Sequence, residues 1–283
     1  MKTIQWYPGH MAKAMREMGE NLKLCDAVVF VLDARAPASS YNPRLKELAG
    51  EKPVLYVLAK GDLAAGTECL TAFFERNLPA VQLSLTEAGS ARILKGAISS
   101  LTAEKRKKYA EKGISRPVRV MVAGVPNTGK STLINLLAGA KKAITGDKAG
   151  VTRTQSWVKL GDVDLLDTPG TMPPAFENQT FARRLAYAGC LNDDILEPDE
   201  IALCLLEELS EKAPAALKER YGIEGGEPLS MLEAVCARRG FLLKGGEFDY
   251  ERGEKALIDD FRKGKLGKIT LDSKEDVALV FGG

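Results

Sequence analysis

The sequence predicts a three-layer α/β domain followed by a smaller, all-helical domain. In the first part of the chain, short β-rich runs alternate with longer amphipathic runs, which is typical of a parallel sheet covered by helices. After about residue 175 the β pattern stops and the apolar spacing turns helical, as in 198–209 and 228–240. We therefore expect an α/β domain at 1–175 and a helical domain at 176–283.

The elements of the α/β domain follow from this alternation. Several β-rich runs, such as AVVFVL at 27–32, are apolar at consecutive positions, as strands buried on both faces must be. The candidate strands are 26–33, 53–59, 80–84, 117–124, 155–160 and 163–167. The amphipathic runs between them predict helices at 10–24, 43–50, 66–77, 88–112 and 130–139. In the second domain, glycines divide the helical pattern into several short helices. These glycines are at positions 222, 225, 226, 240, 245 and 246.

Composition limits the class of protein. A chain of 283 residues with 45% hydrophobic content is long enough for two cores. Its longest apolar runs fall short of the ~20 residues that a membrane span needs, and its N-terminus lacks the apolar stretch of a secretory signal. Five scattered cysteines without a CxxC pair indicate small buried side chains, not a disulfide framework or a zinc site. We expect a cytoplasmic monomer without a membrane partner.

Basic residues are unevenly distributed, although the net charge is only +2. They crowd one segment between 105 and 119 and recur after residue 237, where acidic residues are interspersed. This pattern fits a solvated helix face and equally a surface that contacts nucleic-acid phosphates. The residues are Lys105, Arg106, Lys107, Lys108, Lys112, Arg116, Arg119, Arg238, Arg239, Lys244, Arg252, Lys255, Arg262, Lys263, Lys265 and Lys268.

The strongest chemical signal is GVPNTGKST at 124–132. It fits the pattern G-x-x-x-x-G-K-[ST], with an apolar strand leading in and a helix leading out. In such a loop, backbone N–H groups face a β-phosphate, Lys130 supplies a cation to the β- and γ-phosphates, and the Ser131 hydroxyl ligates magnesium. The segment therefore predicts binding of a nucleotide with Mg²⁺. Its candidate binding residues are Pro126, Asn127, Thr128, Gly129, Lys130, Ser131 and Thr132.

A second phosphate-sensing segment, DTPG at 167–170, ends the last candidate strand. Asp167 can hold a magnesium-bound water, and the Gly170 N–H can meet the γ-phosphate. Between the two motifs, the polar segment 146–155 contains Thr152, a candidate second hydroxyl ligand of magnesium in a mobile switch. The alternative for this segment is an ordinary surface loop.

Six segments carry a resemblance that covers the whole chain: WYPGHMAKAM at 6–15, LDARAPASSYNPRL at 32–45, GVPNTGKSTLIN at 124–135, GVTRTQ at 150–155, LLDTPGTMPP at 165–174 and RLAYAGCLNDDIL at 184–196. Together they resemble the YlqF/RbgA family of circularly permuted, ribosome-assembly GTPases. The resemblance implies hydrolysis of GTP to GDP, a helical domain that binds ribosomal RNA, and the large ribosomal subunit precursor as partner. It also implies that the base-reading motif precedes the phosphate loop, while the nucleotide still meets one contiguous site.

The base-reading motif of this family falls on LAKGDL at 58–63, where Ala59 stands in place of the family's asparagine. Lys60 can lay its methylenes along the base, and the Asp62 carboxylate can accept from guanine N1–H and the exocyclic amino group. The segment 84–86 resembles a second loop that contacts the base in this family, where a backbone N–H would meet guanine O6. With one neutral hydrogen bond lost, we expect GTP preference with affinity lowered about tenfold at most. The candidate residues are Ala59, Lys60, Gly61, Asp62, Ser84, Leu85 and Thr86.

Three further residues bear on hydrolysis. Thr171 follows DTPG where Ras-like enzymes have a water-positioning glutamine, so we expect slow intrinsic hydrolysis. His10, the only histidine, is a candidate for orienting the attacking water once the protein docks on a ribosomal particle. Alternatively, His10 caps the first helix or packs near Trp6. Asn127 is a candidate ligand of a K⁺ ion beside the phosphates, or a residue that favours the turn of the loop.

Two other function classes remain compatible with the sequence. The loss of asparagine at Ala59 makes an ATP-dependent phosphate-loop enzyme conceivable, and Thr171 makes a nucleotide-sensing RNA-binding protein with negligible hydrolysis conceivable. We favour a GTPase that assembles the large ribosomal subunit. Its candidate catalytic residues are Lys130, His10, Thr152 and Gly170.

Overall fold

The computed structural model of the chain describes residues 3–5, 9–140, 143 and 155–282, apart from the side chains of His10 and Ile195. Its strands are β1 (Ala27–Asp33), β2 (Val54–Ala59), β3 (Ala80–Gln82), β4 (Val118–Ala123), β5 (Ser156–Lys159) and β6 (Val163–Asp167). They form one sheet in the order β3-β2-β1-β4-β6-β5. All neighbours pair in parallel except β5, which lies antiparallel to β6 at one edge. The predicted α/β fold class is confirmed.

Helices cover both faces of the sheet. Those of the first part are α1 (Gly9–Leu22), α2 (Pro43–Ala49), α3 (Glu68–Phe74), α4 (Ser90–Leu101), α5 (Ala103–Glu111) and α6 (Lys130–Ala138). Successive residues of a strand point to opposite faces. Phe30 of β1 accordingly packs in a cluster with α1, α2 and α3, whereas Val29 and Val31 pack in a second cluster with α4 and α6. This burial on both sides explains why β1 is apolar along almost its whole length.

One predicted helix is divided. The helix predicted at 88–112 is in fact two, α4 and α5, which meet at Thr102 (φ −101°, ψ 4°). The Thr102 hydroxyl donates to the Ile98 carbonyl oxygen at 2.8 Å, and such local side-chain bonds compete with regular helix geometry. The prediction of a single helix was wrong at this position.

The chain after β6 is helical. Its helices are α7 (Gln179–Tyr187), α8 (Pro198–Lys212), α9 (Pro214–Tyr221), α10 (Pro228–Arg239), α11 (Tyr250–Arg262) and α12 (Lys274–Phe281), with a 3-10 turn at Asp193–Ile195. Proline begins α8, α9 and α10, where its missing N–H costs nothing. Gly222 and Gly240, both left-handed, end α9 and α10 as the sequence predicts. Within the described ranges, no helix has the combination of length and apolar character needed to cross a membrane.

The helical region is packed on the α/β domain in two places. Val125 and Met172, from loops at one edge of the sheet, belong to the same buried cluster as the apolar residues of α7 to α11. Elsewhere, α12 packs against α3, and the ring centroids of Phe281 and Phe73 are 4.6 Å apart. The division at residue 175 stays a prediction, and α12 contacts the α/β side of it.

Candidate functional site

The candidate site lies at the carboxyl edge of the sheet. Because β3, β2, β1, β4 and β6 run parallel, the segments that follow them meet at one edge, which is the usual place for ligands in an open α/β sheet. The base-reading segment 58–63 begins in the last two residues of β2, and 84–86 lies just after β3. The phosphate loop 124–129 follows β4, and DTPG begins with the last residue of β6. Motifs that are far apart in the chain are therefore brought together in space.

The phosphate loop joins β4 to α6 through positive φ angles. Gly124 (φ 153°), Asn127 (φ 58°) and Gly129 (φ 104°) have conformations that glycine adopts freely and that asparagine tolerates better than most residues. A Cβ atom at Gly124 would collide with the Val31 carbonyl oxygen, so space also requires glycine there. The loop ends at the N-terminus of α6, where the N–H groups of the first turn and the helix dipole favour an anion.

Lys130, the first residue of α6, is folded against its own loop. Its ammonium donates to the Val125 carbonyl oxygen at 2.7 Å, and the residue is only 6% exposed. Burial lowers the pKa of Lys130 to about 8, although Asp167 acts in the opposite direction. A buried cation with a neutral carbonyl as acceptor lacks a full counter-charge, and a phosphate group would provide it.

The pH dependence of GDP binding tests this arrangement. With a pKa of about 8 in the free protein, Lys130 loses its proton above that pH and must regain it to pair with a phosphate. We expect GDP affinity to fall about tenfold between pH 7 and pH 9. Fluorescence titration over this range measures it, and an affinity that stays constant would contradict the assignment of Lys130 to the phosphates.

Asp167 at the end of β6 lies beside Ser131 of α6. The Ser131 hydroxyl donates to Asp167 Oδ2 at 3.3 Å. The other carboxylate oxygen, Oδ1, is buried and has no hydrogen-bond partner within the described part of the chain. Burial raises the pKa of Asp167, while Lys130 and the Ser131 hydroxyl lower it. A buried carboxylate oxygen without a partner is energetically costly, so this atom is suited to a further ligand.

The DTPG segment packs directly on the phosphate loop. A Cβ atom at Gly170 would lie 2.6 Å from the backbone N and Cα of Pro126, which leaves room for glycine alone. The Thr168 hydroxyl donates to the Val122 carbonyl oxygen of β4 at 2.7 Å, and the Thr171 N–H donates to the Gly124 carbonyl oxygen at 3.3 Å. These contacts hold the Gly170 backbone beside the phosphate loop.

The base-reading segment contacts the phosphate loop and the 84–86 loop. A Cβ atom built at Gly129 would lie 3.7 Å from Ala59 Cβ and 3.2 Å from Leu85 Cδ1. The Gly61 N–H donates to the Leu83 carbonyl oxygen at 3.0 Å, which joins the two base-side loops. The side chains at the rim are Asp62 and Thr86, which are exposed, and Ser84, whose hydroxyl lies 3.0 Å from that of Thr86.

Two predicted site residues lie wholly or partly outside the described residues, and a third contacts the helical region. Thr152 lies outside them, and of His10 only the backbone, in the first turn of α1, is described. Asn127 has the left-handed conformation expected of a turn-forming residue, and its Nδ2 donates to the Gly189 carbonyl oxygen of the helical region at 2.7 Å.

Two charged residues at the site were given no role from the sequence. Asp33 ends β1, between the strands that carry the base-reading segment and the phosphate loop, and Arg35 follows it. Both are buried, and they form a bidentate ion pair that also contacts Lys60. The sequence signal for these two residues was an acidic residue at the end of an otherwise apolar strand, followed two positions later by an arginine.

The fold and the site together define a phosphate-loop GTPase whose base-reading motif precedes its phosphate loop. Over 97% of its length, the chain is 40% identical to Ribosome biogenesis GTPase A from Bacillus cereus, of which it covers 95%, and 38% identical to the protein of that name from Priestia megaterium, of which it covers 98%. The chain belongs to the ribosome biogenesis GTPase A (YlqF/RbgA) family.

Two further comparisons agree with this assignment. The sequence profile of a family described as "50S ribosome-binding GTPase" matches residues 119–216. The solved structure of GNP-bound YlqF from T. maritima is similar with a TM-score of 0.65 and 27% identity, over 93% of this chain and 99% of that one. As a member of a GTPase family, the protein binds GTP and GDP and hydrolyses GTP. An ATP-dependent enzyme and a protein without hydrolysis are not favoured.

Ala59 allows a direct test of the base-reading segment. Its side chain is fully buried beside Gly129 and Leu85. We expect Ala59→Asn to tighten GDP binding up to about tenfold and to leave ATP binding unaffected, because only the N7 and O6 side of guanine gains a matched donor. Titration with both nucleotides measures this, with Ala65→Asn, at an exposed position after the same segment, as the control. Unchanged GDP affinity would mean that 58–63 does not contact the base.

Proposed function

We propose that this protein is a GTP-dependent switch in the assembly of the large ribosomal subunit, acting as a cytoplasmic monomer. Its 1–175 domain hydrolyses GTP, and its 176–283 domain contacts ribosomal RNA of the subunit precursor. The observation that carries the proposal is the meeting of the phosphate loop, DTPG and the base-reading segment at one edge of the sheet, in a chain of this family. The helical region is packed on loops at this edge of the sheet. Loss of the γ-phosphate on hydrolysis would therefore change the surface against which the helical region lies.

The phosphate side of the site fits a nucleotide with Mg²⁺. The Ser131 hydroxyl and the orphaned Oδ1 of Asp167 are hard oxygen donors beside the phosphate loop, which is the ligand type that Mg²⁺ prefers. The ion would neutralise charge on the β- and γ-phosphates. We propose Ser131 as a direct ligand, Asp167 as a ligand through water, and Thr152 as a ligand from the switch segment. The backbone N–H of Gly170 would donate to the γ-phosphate.

The base side of the site fits guanine. We propose that the exposed Asp62 carboxylate accepts from N1–H and the exocyclic amino group, which adenine does not present together. The methylenes of Lys60 would lie along the base, and backbone N–H groups of the 84–86 loop would meet O6. Ala59 leaves the N7 side without the amide that this position usually provides in the family.

We further propose a K⁺ ion beside Asn127. Only the amide oxygen of an asparagine can ligate a cation, and the bond from Nδ2 to Gly189 fixes the orientation of the amide. Replacing Na⁺ by K⁺ at constant ionic strength should raise GTP turnover, because the ion adds positive charge where the transition state develops negative charge. Asn127→Gly, which keeps the left-handed backbone, should erase the difference. Equal turnover in both salts would leave Asn127 only its role in the turn.

The basic residues can now be divided by their partners. Several of them form ion pairs with the protein's own carboxylates: Lys105 and Arg116 pair with Asp26, Arg106 with Asp162, Arg239 and Lys265 with Asp260, and Arg262 with Asp193. Others are exposed and are better placed to contact RNA phosphates: Lys107, Lys108, Lys112, Arg238, Lys244 and Lys268.

Cosedimentation with large-subunit precursors tests the proposed partner. We expect the protein to pellet with the particles in a non-hydrolysable GTP analogue and much less in GDP, and to dissociate steeply as salt rises. A variant with Arg238, Lys244 and Lys268, the exposed basic residues of the helical region, changed to alanine should bind more weakly and show a shallower salt dependence. Equal pelleting in both nucleotides would contradict a nucleotide-controlled switch.

A further inference from the structure

A buried ionic cluster of Asp33, Arg35 and Lys60 lies between the base-reading segment and the phosphate loop. Because β1 lies between β2 and β4, Asp33 at its carboxyl end is in register with Ala59. Lys60 Nζ donates to Asp33 Oδ2 at 2.8 Å, while Arg35 donates from Nε to Oδ1 at 2.9 Å and from Nη2 to Oδ2 at 2.8 Å. Asp33 is 0% exposed, so these contacts replace its hydration.

Asp33 is ionised in this environment. Burial alone would raise its pKa, but the Arg35 guanidinium and the Lys60 ammonium outweigh burial and hold the pKa of Asp33 well below its usual range. The planar, bidentate geometry with Arg35 is the stronger kind of charge-assisted contact. The carboxylate therefore provides a fixed negative charge to which the Lys60 ammonium is bound.

Lys60 connects this buried charge to the proposed base site. Its backbone is left-handed (φ 59°), its side chain is 26% exposed, and the preceding residue Ala59 lies against Gly129 of the phosphate loop. A lysine that moves freely loses rotamer freedom when a ligand orders it, whereas a lysine already bound to Asp33 has lost that freedom before the ligand arrives. The ion pair thus prepares the Lys60 side chain for contact with a base.

Arg35 is in turn held by the helical region. Its guanidinium carbon lies 5.1 Å from the centroid of the Phe261 ring, and Nη1 lies 3.5 Å from the carbonyl oxygens of Phe261 and Arg262. These carbonyls are at the C-terminus of α11, where the helix dipole favours a cation. The Leu271 N–H also donates to the Arg35 carbonyl oxygen at 2.7 Å. Arg35 is therefore fixed between Asp33 and α11.

We propose that Asp33 is a positioning residue for the guanine base, which acts by holding Lys60, and that Arg35 fixes Asp33 through its contact with α11. This inference rests on the proposed function, in which Lys60 lies along the base. Asp33 is fully buried and its carboxylate is bound by Arg35 and Lys60, so its effect on nucleotide affinity should depend on Lys60 being present.

A double-mutant cycle tests this dependence. GDP affinity is measured by calorimetry for the wild type, Asp33→Asn, Lys60→Met and the double variant. We expect each single change to weaken GDP about tenfold, the scale of ordering one lysine side chain on binding, and the double variant to be within about twofold of Lys60→Met. Competition by inorganic pyrophosphate, which contacts only the phosphate side, should be unchanged in Asp33→Asn.

Asp272→Asn is the matched control. Asp272 is another buried carboxylate between the two regions, which accepts from Ser39 and Arg184 but does not contact Lys60. We expect this change to lower the melting temperature and to leave GDP affinity within about twofold. If Asp33→Asn does not fold, Asp33→Asn with Arg35→Met removes the uncompensated cation, and the same cycle is measured in that background.

The outcomes separate the inference from the proposed function. If wild-type protein binds GDP no better than ADP, the proposed base site is wrong and the inference falls with it. If the wild type prefers GDP but the effects of the Asp33 and Lys60 changes multiply, Asp33 does not act through Lys60. If Asp33→Asn weakens the binding of pyrophosphate as well as that of GDP, the change disturbs the phosphate side of the site too. This result would also overturn the proposal.

Discussion

Lys130→Ala should abolish GTP hydrolysis and weaken GTP binding at least about a hundredfold, while the protein stays folded. The change removes the charge-assisted contact to the β- and γ-phosphates, the stronger class of hydrogen bond. Folding should not suffer, because the Thr128 hydroxyl still donates to the Val125 carbonyl oxygen that Lys130 leaves. The depressed pKa of Lys130 also means that its buried charge opposes folding at neutral pH.

The stability effect separates this prediction from a simple folding defect. In the folded state the pKa of Lys130, about 8, is below its unfolded value. The charged form therefore costs free energy below that pH, and the cost declines as the pH rises from the folded pKa to the higher unfolded pKa. We therefore expect a melting temperature for Lys130→Ala at pH 7 equal to or above that of the wild type.

Lys52→Ala is the matched control for Lys130→Ala. Lys52 also donates to a backbone carbonyl oxygen, that of Cys25 at 2.7 Å, but at the opposite edge of the sheet. Its nucleotide affinity and turnover should equal those of the wild type. Calorimetry and phosphate-release assays measure both variants, and normal turnover in Lys130→Ala would remove the phosphate loop from the mechanism.

His10→Ala should bind GTP and the ribosomal particle normally and lose about tenfold to a thousandfold of the particle-stimulated hydrolysis. We propose that the imidazole orients the attacking water, since Thr171 after DTPG is fully buried and cannot take the place of a glutamine. The backbone of His10 lies in the first turn of α1, and the next residue, Met11, belongs to the buried cluster that includes Val125 and Met172. The start of α1 is therefore packed beside loops of the nucleotide edge.

Glu20→Ala, on the last part of the same helix, is the control for His10→Ala. Glu20 is exposed, and the change keeps helix propensity high. The stimulated rate of Glu20→Ala should equal that of the wild type in single-turnover assays with saturating particles. A His10→Ala protein that keeps its full stimulated rate would leave His10 only a structural role in α1 and leave water positioning to the ribosomal particle.

Prediction from the sequence worked best for parts of the site whose local structure depends only on residues adjacent in the chain. The phosphate loop needs only its own glycines and the adjoining strand and helix, so the positions of Gly124, Gly129 and Lys130 followed from spacing. DTPG was predicted for the same reason, because Asp167 ends an apolar strand.

Contacts between distant segments could not be predicted. Arg35 meets Phe261 at a separation of 226 residues, and no periodic pattern reports such a contact. The pairing of Lys60 with Asp33 depends on the order of strands in the sheet, which a one-dimensional pattern does not contain. Likewise, α12 lies in the region predicted to be helical, but the sequence does not indicate its packing against α3. The break at Thr102 coincides with hydrogen bonds of its side chain to the preceding turn, which the apolar spacing does not report.

One measurement tests the central claim most directly: the rate of phosphate release from GTP by the wild-type protein, alone and with purified large-subunit precursors, with ATP as the parallel substrate. We expect slow release from GTP by the protein alone, at least about tenfold faster release with the particles, and no comparable release from ATP. Equal GTP rates with and without the particles, or ATP hydrolysed as fast as GTP, would contradict a guanine-specific switch that acts in assembly of the large ribosomal subunit.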